Sequence, residues 1–143
     1  MHVEREFTCE VTAENYLKVS EMVEECMTEA EFGIGAINKL LLSVDEIYAN
    51  IKDYSEAKTC TIKCIADGKK IELDFIDDGL PFDPTSKPEP DVLEDLMERN
   101  IGGLGIFIVR KLMDTVDYRR ENDKNLLIIQ KSSDNDRKSP AMV

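Results

Sequence analysis

Two ten-residue segments, KTCTIKCIAD (Lys58–Asp67) and KKIELDFIDD (Lys69–Asp78), alternate apolar and polar residues and flank a single glycine, Gly68. Successive side chains of a strand point to opposite faces, so this period of two describes strands with one buried face and one wet face. The Asp-Gly-Lys junction between them is a good hairpin signal. A hairpin at the centre of the chain constrains its sheet to be mainly antiparallel.

The flanking segments fill in the rest. Residues 2–12 alternate as Val3, Arg5, Phe7, Cys9 and Val11, which reads as another half-buried strand. From Ala13 to about Glu31, Tyr16, Leu17, Val19, Met22, Val23, Cys26 and Met27 recur at helical spacing, and FGIG (32–35) breaks the helix. A second helix is predicted from about Ile34 to Ser55, with Ile37, Leu40, Leu41, Val44, Tyr48 and Ile51 as its stripe. GLPFDPTSKPEPD carries four prolines and is a loop, VLEDLMER holds a short helix, and Leu104 to Met113 reads as the third main helix. TVDYRREN and KNLLIIQK close the chain as a hairpin turning at Asn122-Asp123-Lys124, followed from Ser132 by a polar tail.

The order is β, α, α, β, β, loop, α, β, β. It predicts an α+β fold, a two-layer α/β sandwich whose mixed, mainly antiparallel sheet carries its helices on one face. Residues 1–131 form one domain, and 132–143 a disordered tail. The loop between Gly79 and Gly102 is long for a compact domain, and such loops are usually functional lids or disordered segments.

Composition narrows the function. A chain of 143 residues typically buries about 68–70% of its unfolded surface, enough for a core without disulfides or metals. The net charge of -12 argues against a nucleic-acid surface, which needs clustered Lys and Arg, and suits solubility or a basic protein partner. No run approaches the roughly 20 apolar residues of a membrane span, and MHVEREFTCEV lacks a signal peptide's apolar stretch, so a cytoplasmic protein is expected. Cys60 and Cys64 stand about 13 Å apart along one strand, too far for one bridge. With Cys9 and Cys26 they read as buried free thiols.

Three places can carry chemistry. In SVDEIYAN, Glu46, Asn50 and Asp53 fall on one side of the second helix at about 100° per residue. That is either a solvated face or, beneath a ligand, an oxygen-rich face suited to Mg²⁺. In DFIDDGLPFDP, Asp77 and Gly79 sit at a strand end, as turn residues or as a carboxylate placed to accept from an exocyclic amine. In NIGGLGIFIVRKLMD, Gly102, Gly103 and Gly105 precede or open a helix. They serve either as a hinge or for tight packing, or to let an anion approach backbone N–H groups at the positive end of the helix dipole. No G-K-[ST] follows, which excludes a P-loop, and no strand directly precedes them, which excludes a Rossmann turn.

Taken in this order, DEIYAN, DDGLPFDP and GGLGIFIVRKLMDTVDYRRENDKNLLIIQK resemble the N box, the G1 box, and the G2 region with closing strands of the Bergerat-fold (GHKL) ATP-binding superfamily. The chain is most similar to the small anti-sigma factor serine/threonine kinases, over about Val3 to Lys131. The resemblance implies ATP and Mg²⁺ as cofactors, with Asn50 coordinating the metal and Glu46 as general base. It implies Asp77 as the adenine-reading aspartate and Gly79 as the glycine that lets the base approach. Gly102, Gly103 and Gly105 are the implied phosphate-binding glycines, and Asp53, Phe82, Arg99, Leu104 and Ile106 complete the implied nucleotide site.

In that family the γ-phosphoryl group passes to a serine of a STAS-domain anti-sigma factor antagonist, and the kinase sequesters a sigma factor by partner switching. A homodimer without direct nucleic-acid or membrane contact is implied, and the first helix and its preceding strand are candidate docking surfaces. Three features depart from the pattern. Asp53 stands where many relatives carry histidine, Ile128 stands at the final-strand position usually held by a small hydroxyl residue, and the lid offers only Lys87 and Arg99 as cations. They keep a second reading open, a nucleotide-gated protein-binding module without significant kinase activity.

Overall fold

The computed structural model describes residues 2–86 and 101–133. Strand β1 (Val3–Glu10) leads into helix α1 (Ala13–Glu29), and helix α2 (Ile34–Asn50) returns beside it. This helical hairpin brings the chain back to the end of β1 from which it departed. Strand β2 (Thr59–Ala66) therefore runs antiparallel to β1, with Glu10 opposite Thr59 and Val3 opposite Ala66. The turn into β3 (Lys70–Asp77) uses Gly68 at φ +87°, while Asp67 Oδ1 accepts from Lys69 N and Lys70 N, each at 2.9 Å.

Helix α3 (Ile101–Leu112) precedes the last hairpin, β4 (Thr115–Glu121) and β5 (Lys124–Ser132), which turns at Asn122 and Asp123, both at positive φ. Strand β5 inserts between β3 and β4, giving the order β1-β2-β3-β5-β4 with every neighbouring pair antiparallel. The expected mixed sheet is corrected here. Strands β3 and β4 point the same way, but β5 separates them, so no parallel pair forms among the described residues.

The inner face of the sheet presents Ile62, Leu73, Phe75 and Ile129 to α1 and α2, which contribute Val23, Met27, Leu40 and Ile47. Each of these is at most 1% exposed, and truncating one such Leu or Ile to alanine typically costs about 2–5 kcal/mol. No helix among the described residues is long and apolar enough to cross a membrane.

Three boundaries differ from expectation. Helix α1 stops at Glu29, with Glu31 in the left-handed region at φ 67°. Helix α2 stays α-helical only to Asn50, and Ile51–Ser55 form a π turn. Strand β5 runs to Ser132, one residue past the expected KNLLIIQK, and Ser133 N donates to Lys69 O at 2.8 Å. The helix expected in VLEDLMER and the tail from 134 onward lie outside the described residues.

All four cysteines are free, Cys26, Cys60 and Cys64 being buried and Cys9 partly so. Tertiary structure pairs them across elements, with Sγ–Sγ distances of 2.7 Å for Cys26/Cys64 and 4.0 Å for Cys9/Cys60.

Candidate functional site

Chain direction gathers the C-terminal ends of α2 and β3 and the N-terminal end of α3 on one edge of the sandwich. A small cavity of about 20 Å³ opens there, room for about one water molecule. Ile47, Phe75, Leu127 and Phe82 give it apolar walls, and Asn50, Asp77 and Asn125 supply its polar groups.

Asp77 closes β3 and is 3% exposed. Its Oδ1 accepts from Gly79 N and from Asn125 Nδ2, both at 2.9 Å. Burial pushes the carboxyl above its ordinary value, while the bonds from Asn125 and Gly79 pull it back. The next carboxylate has another task. Asp78 accepts from Lys58 N at 2.9 Å, Thr59 N at 3.1 Å and Thr59 Oγ1 at 3.0 Å, which staples the start of β2.

Gly79 is required by a neighbouring backbone. A Cβ there would meet Ser55 O at 2.3 Å, and Leu80 N donates to that same oxygen at 2.8 Å. The π turn thus delivers Ser55 against the glycine, and Arg120 donates to Gly79 O at 2.9 Å from β4. Phe82 lines the cavity and stacks on Tyr54, with ring centroids 5.4 Å apart and an interplanar angle of 18°.

Glu46 stands one helical turn before Asn50 on α2 and packs on the opening of α3. A Cβ on Gly105 would lie 2.4 Å from Glu46 Oε2, so any side chain there would have to push this carboxylate aside. Burial raises the Glu46 carboxyl, with Asp45 adding to the effect. Asn50 is 8% exposed and lines the cavity without a side-chain hydrogen bond among the described residues. Its amide oxygen fits a hard cation that keeps phosphate and water oxygens as its other ligands, as Mg²⁺ does. Among the described residues, no cluster of three or more His, Cys, Asp or Glu forms a metal cage of its own.

Of the residues predicted from sequence, Asn50, Asp77 and Phe82 therefore meet at the cavity, while Glu46 and Gly105 meet beside it. Gly102, Gly103 and Leu104 lie in the first turns of α3, and Ile106 is a core residue at 2% exposure. Arg99 and Lys87 fall outside the described residues. Asp53 stands apart from this cavity. It is exposed and pairs with Lys52 at 3.5 Å, outside the cavity lining. The wider π turn, bonded i to i+5, rotates residues after Asn50 away from the positions that a 3.6-residue period extrapolates.

Residues 9–131 match the family model described as the histidine kinase-like ATPase domain. The chain belongs to this family. It is also similar to the serine-protein kinase RsbW of Listeria monocytogenes serovar 1/2a, at 31% identity over 97 residues. That match covers 62% of this chain and 62% of the length of RsbW. The five-stranded antiparallel sheet with its helix layer is the α+β arrangement expected of a histidine kinase-like ATPase domain.

Sequence reading missed two members of the site and displaced a third. Asn125, 3% exposed, is the register partner of Asp77, and Tyr118 donates to Asn125 Oδ1 at 2.5 Å. Ile128, expected at the final-strand position of the site, instead pairs with Asp74 on the other face of the sheet. One signal was available. Asn125 shares strand parity with buried Leu127 and Ile129, which is an unusual place for an amide.

Proposed function

We propose that this histidine kinase-like ATPase domain binds ATP with Mg²⁺ and transfers the γ-phosphoryl group to a serine of a STAS-domain anti-sigma factor antagonist. It also sequesters a sigma factor, acting as a cytoplasmic homodimer that switches between the two partners. The serine oxygen forms a bond to γ-phosphorus, the bond from γ-phosphorus to the β–γ bridging oxygen breaks, and ADP leaves. Glu46 takes the serine proton. Its raised pKa moves the basicity of this carboxylate toward that task.

The observation that carries the reading is the contact between Glu46 and Gly105, one turn from Asn50 and beside the cavity that holds Asp77. Asn50 would hold Mg²⁺ together with phosphate oxygens, and the metal would neutralise phosphate charge. Asp77 would accept from the exocyclic amine of adenine, and the first turns of α3 would offer backbone N–H groups to the phosphates. Such transfer rests mainly on positioning and charge neutralisation.

Radiolabelled ATP and a cognate STAS protein test the assignment. Glu46→Gln is expected to bind Mg-ATP normally and to lose transfer by roughly 100-fold or more, the usual scale of a general base. Undiminished transfer overturns the role of Glu46. Phosphate transfer absent in the wild type, with ATP-dependent capture of a sigma factor intact, favours the nucleotide-gated binding module.

A further inference from the structure

An asparagine side chain offers two N–H donors and an oxygen with two lone pairs. At Asn125 all four are used inside the protein. Nδ2 donates to Asp77 Oδ1 at 2.9 Å and to Leu80 O at 2.8 Å, while Oδ1 accepts from Phe82 N at 3.2 Å and from Tyr118 at 2.5 Å. The partners fix the orientation of the amide, because a carboxylate and a carbonyl accept only and a backbone N–H donates only. One amide in β5 thus grips the end of β3, the segment after Gly79 and a side chain of β4.

We propose that Asn125 is a positioning residue for base recognition. It engages Oδ1 of Asp77 so that Oδ2 is the oxygen left for a ligand, and it fastens that carboxylate to the Leu80–Phe82 segment that walls the cavity. The inference rests on the nucleotide reading above and extends it to a residue that never needs to touch the base. Asp77 Oδ2 has no hydrogen bond among the described residues, which agrees with this division of labour between the two oxygens.

Several groups face Asp77. They are Gly79 N–H and Asp78 on its own segment, the Cys60 thiol on β2, Arg120 and Tyr118 on β4, and Asn125 on β5. Replacing Asn125 by leucine leaves the others in place and removes one donor from the charged form of Asp77. A hydrogen bond to a carboxylate favours ionisation, so its loss moves the titration of Asp77 to higher pH. The carboxylate is the stronger acceptor from an amine, so ATP binding then weakens sooner as the solution is acidified.

The test titrates the full chain, wild type and Asn125→Leu, with Mg-ATP by calorimetry across the acid range. Carbon NMR follows the Asp77 carboxyl in the same proteins without nucleotide. The expected result is binding weakened roughly tenfold or more at neutral pH, the scale of a lost hydrogen bond to a charged group. The Asp77 midpoint and the acid limb of binding are expected to rise together. An unmoved Asp77 midpoint with affinity lowered equally at every pH assigns Asn125 a packing role and overturns the proposal.

If the leucine variant does not fold, Asn125→Ala, which removes the donor to Asp77 with the least change of shape, and Tyr118→Phe, which leaves the Asn125–Asp77 bond in place, serve instead. Alanine is expected to shift the midpoint upward and Tyr118→Phe to leave it unchanged. The same midpoint in Asn125→Ala and wild type sinks the idea. Wild-type protein that ignores ATP would refute the nucleotide reading, while the Asp77 titration would still decide whether Asn125 sets that carboxylate.

Discussion

Gly105 and Glu46 are in contact, such that a single methyl group on the glycine would stand 2.4 Å from a carboxylate oxygen. The obstacle is the end of a side chain, so Gly105→Ala has a way out by rotating Glu46. The fold survives, because alanine is the better helix former by roughly 1 kcal/mol. Phosphate transfer is expected to fall by roughly 100-fold, since a displacement of about 1 Å near the reacting groups has effects of that size. Normal transfer by a folded Gly105→Ala protein would show that the contact has no part in placing the base.

Gly79 faces a different obstacle. Its would-be Cβ meets the backbone of Ser55 at 2.3 Å, and a backbone held by the Leu80–Ser55 hydrogen bond has no rotamer to escape into. Gly79→Ala is therefore expected to lower stability by about 1–3 kcal/mol, the usual cost of overpacking. Chemical denaturation with and without Mg-ATP measures it. An unchanged midpoint in both conditions contradicts the close approach of the π turn to β3.

Asn50 forms no side-chain hydrogen bond among the described residues, so Asn50→Ala leaves no partner stranded. Its cost to the apo protein is expected to stay within about 1 kcal/mol. Mg-ATP at about 100 times its Kd adds roughly 2.7 kcal/mol to the wild type. In the variant, the part of that gain that disappears on chelating Mg²⁺ is expected to vanish. Thermal melts with ATP, with and without a chelator, decide it. An equal magnesium-dependent gain in the variant would remove Asn50 from the metal site.

On the open face of the sheet, Asp74 Oδ1 is enclosed without a hydrogen-bond partner among the described residues. Burial, reinforced by Glu72, pushes the Asp74 carboxyl from 3.8 to about 7. A raised carboxyl favours the folded state while protonated. Its contribution is whole below about pH 4 and is lost as pH rises through about 7. Asparagine does not ionise, so Asp74→Asn is expected to gain stability on the wild type steadily across that window. Paired melting temperatures at acid and alkaline pH show it. A difference that stays constant with pH would mean that Asp74 ionises normally.

What was legible in the sequence follows from the range of the interactions that set it. The β2–β3 hairpin and the stripes of α1 and α2 are local patterns with fixed periods, and Glu46, Asn50, Asp77 and Gly105 ride on those elements. Asp53 was placed by extrapolating 3.6 residues per turn through Ile51–Ser55, where the backbone in fact widens. Asn125 was missed and Ile128 misplaced because the β3–β5 register joins residues far apart in sequence, 48 apart for Asp77 and Asn125, and no local period reports it. The cysteines repeat the lesson. Spacing along one strand excluded Cys60/Cys64, yet it says nothing of Cys26 meeting Cys64 from a helix.

The place of β5 in the sheet has a consequence for how the chain matures on the ribosome. Synthesis supplies Glu46, Asn50, Asp77 and Gly105 well before Asn125 and Leu127, which complete the cavity wall. A nascent chain halted inside the β4–β5 turn has its helices and four strands, only three of them paired, and one side of the pocket is still unbuilt. On the nucleotide reading proposed above, ligand binding would await the final strand, and a nucleotide would act as a seal on a finished molecule and not as a template for an unfinished one.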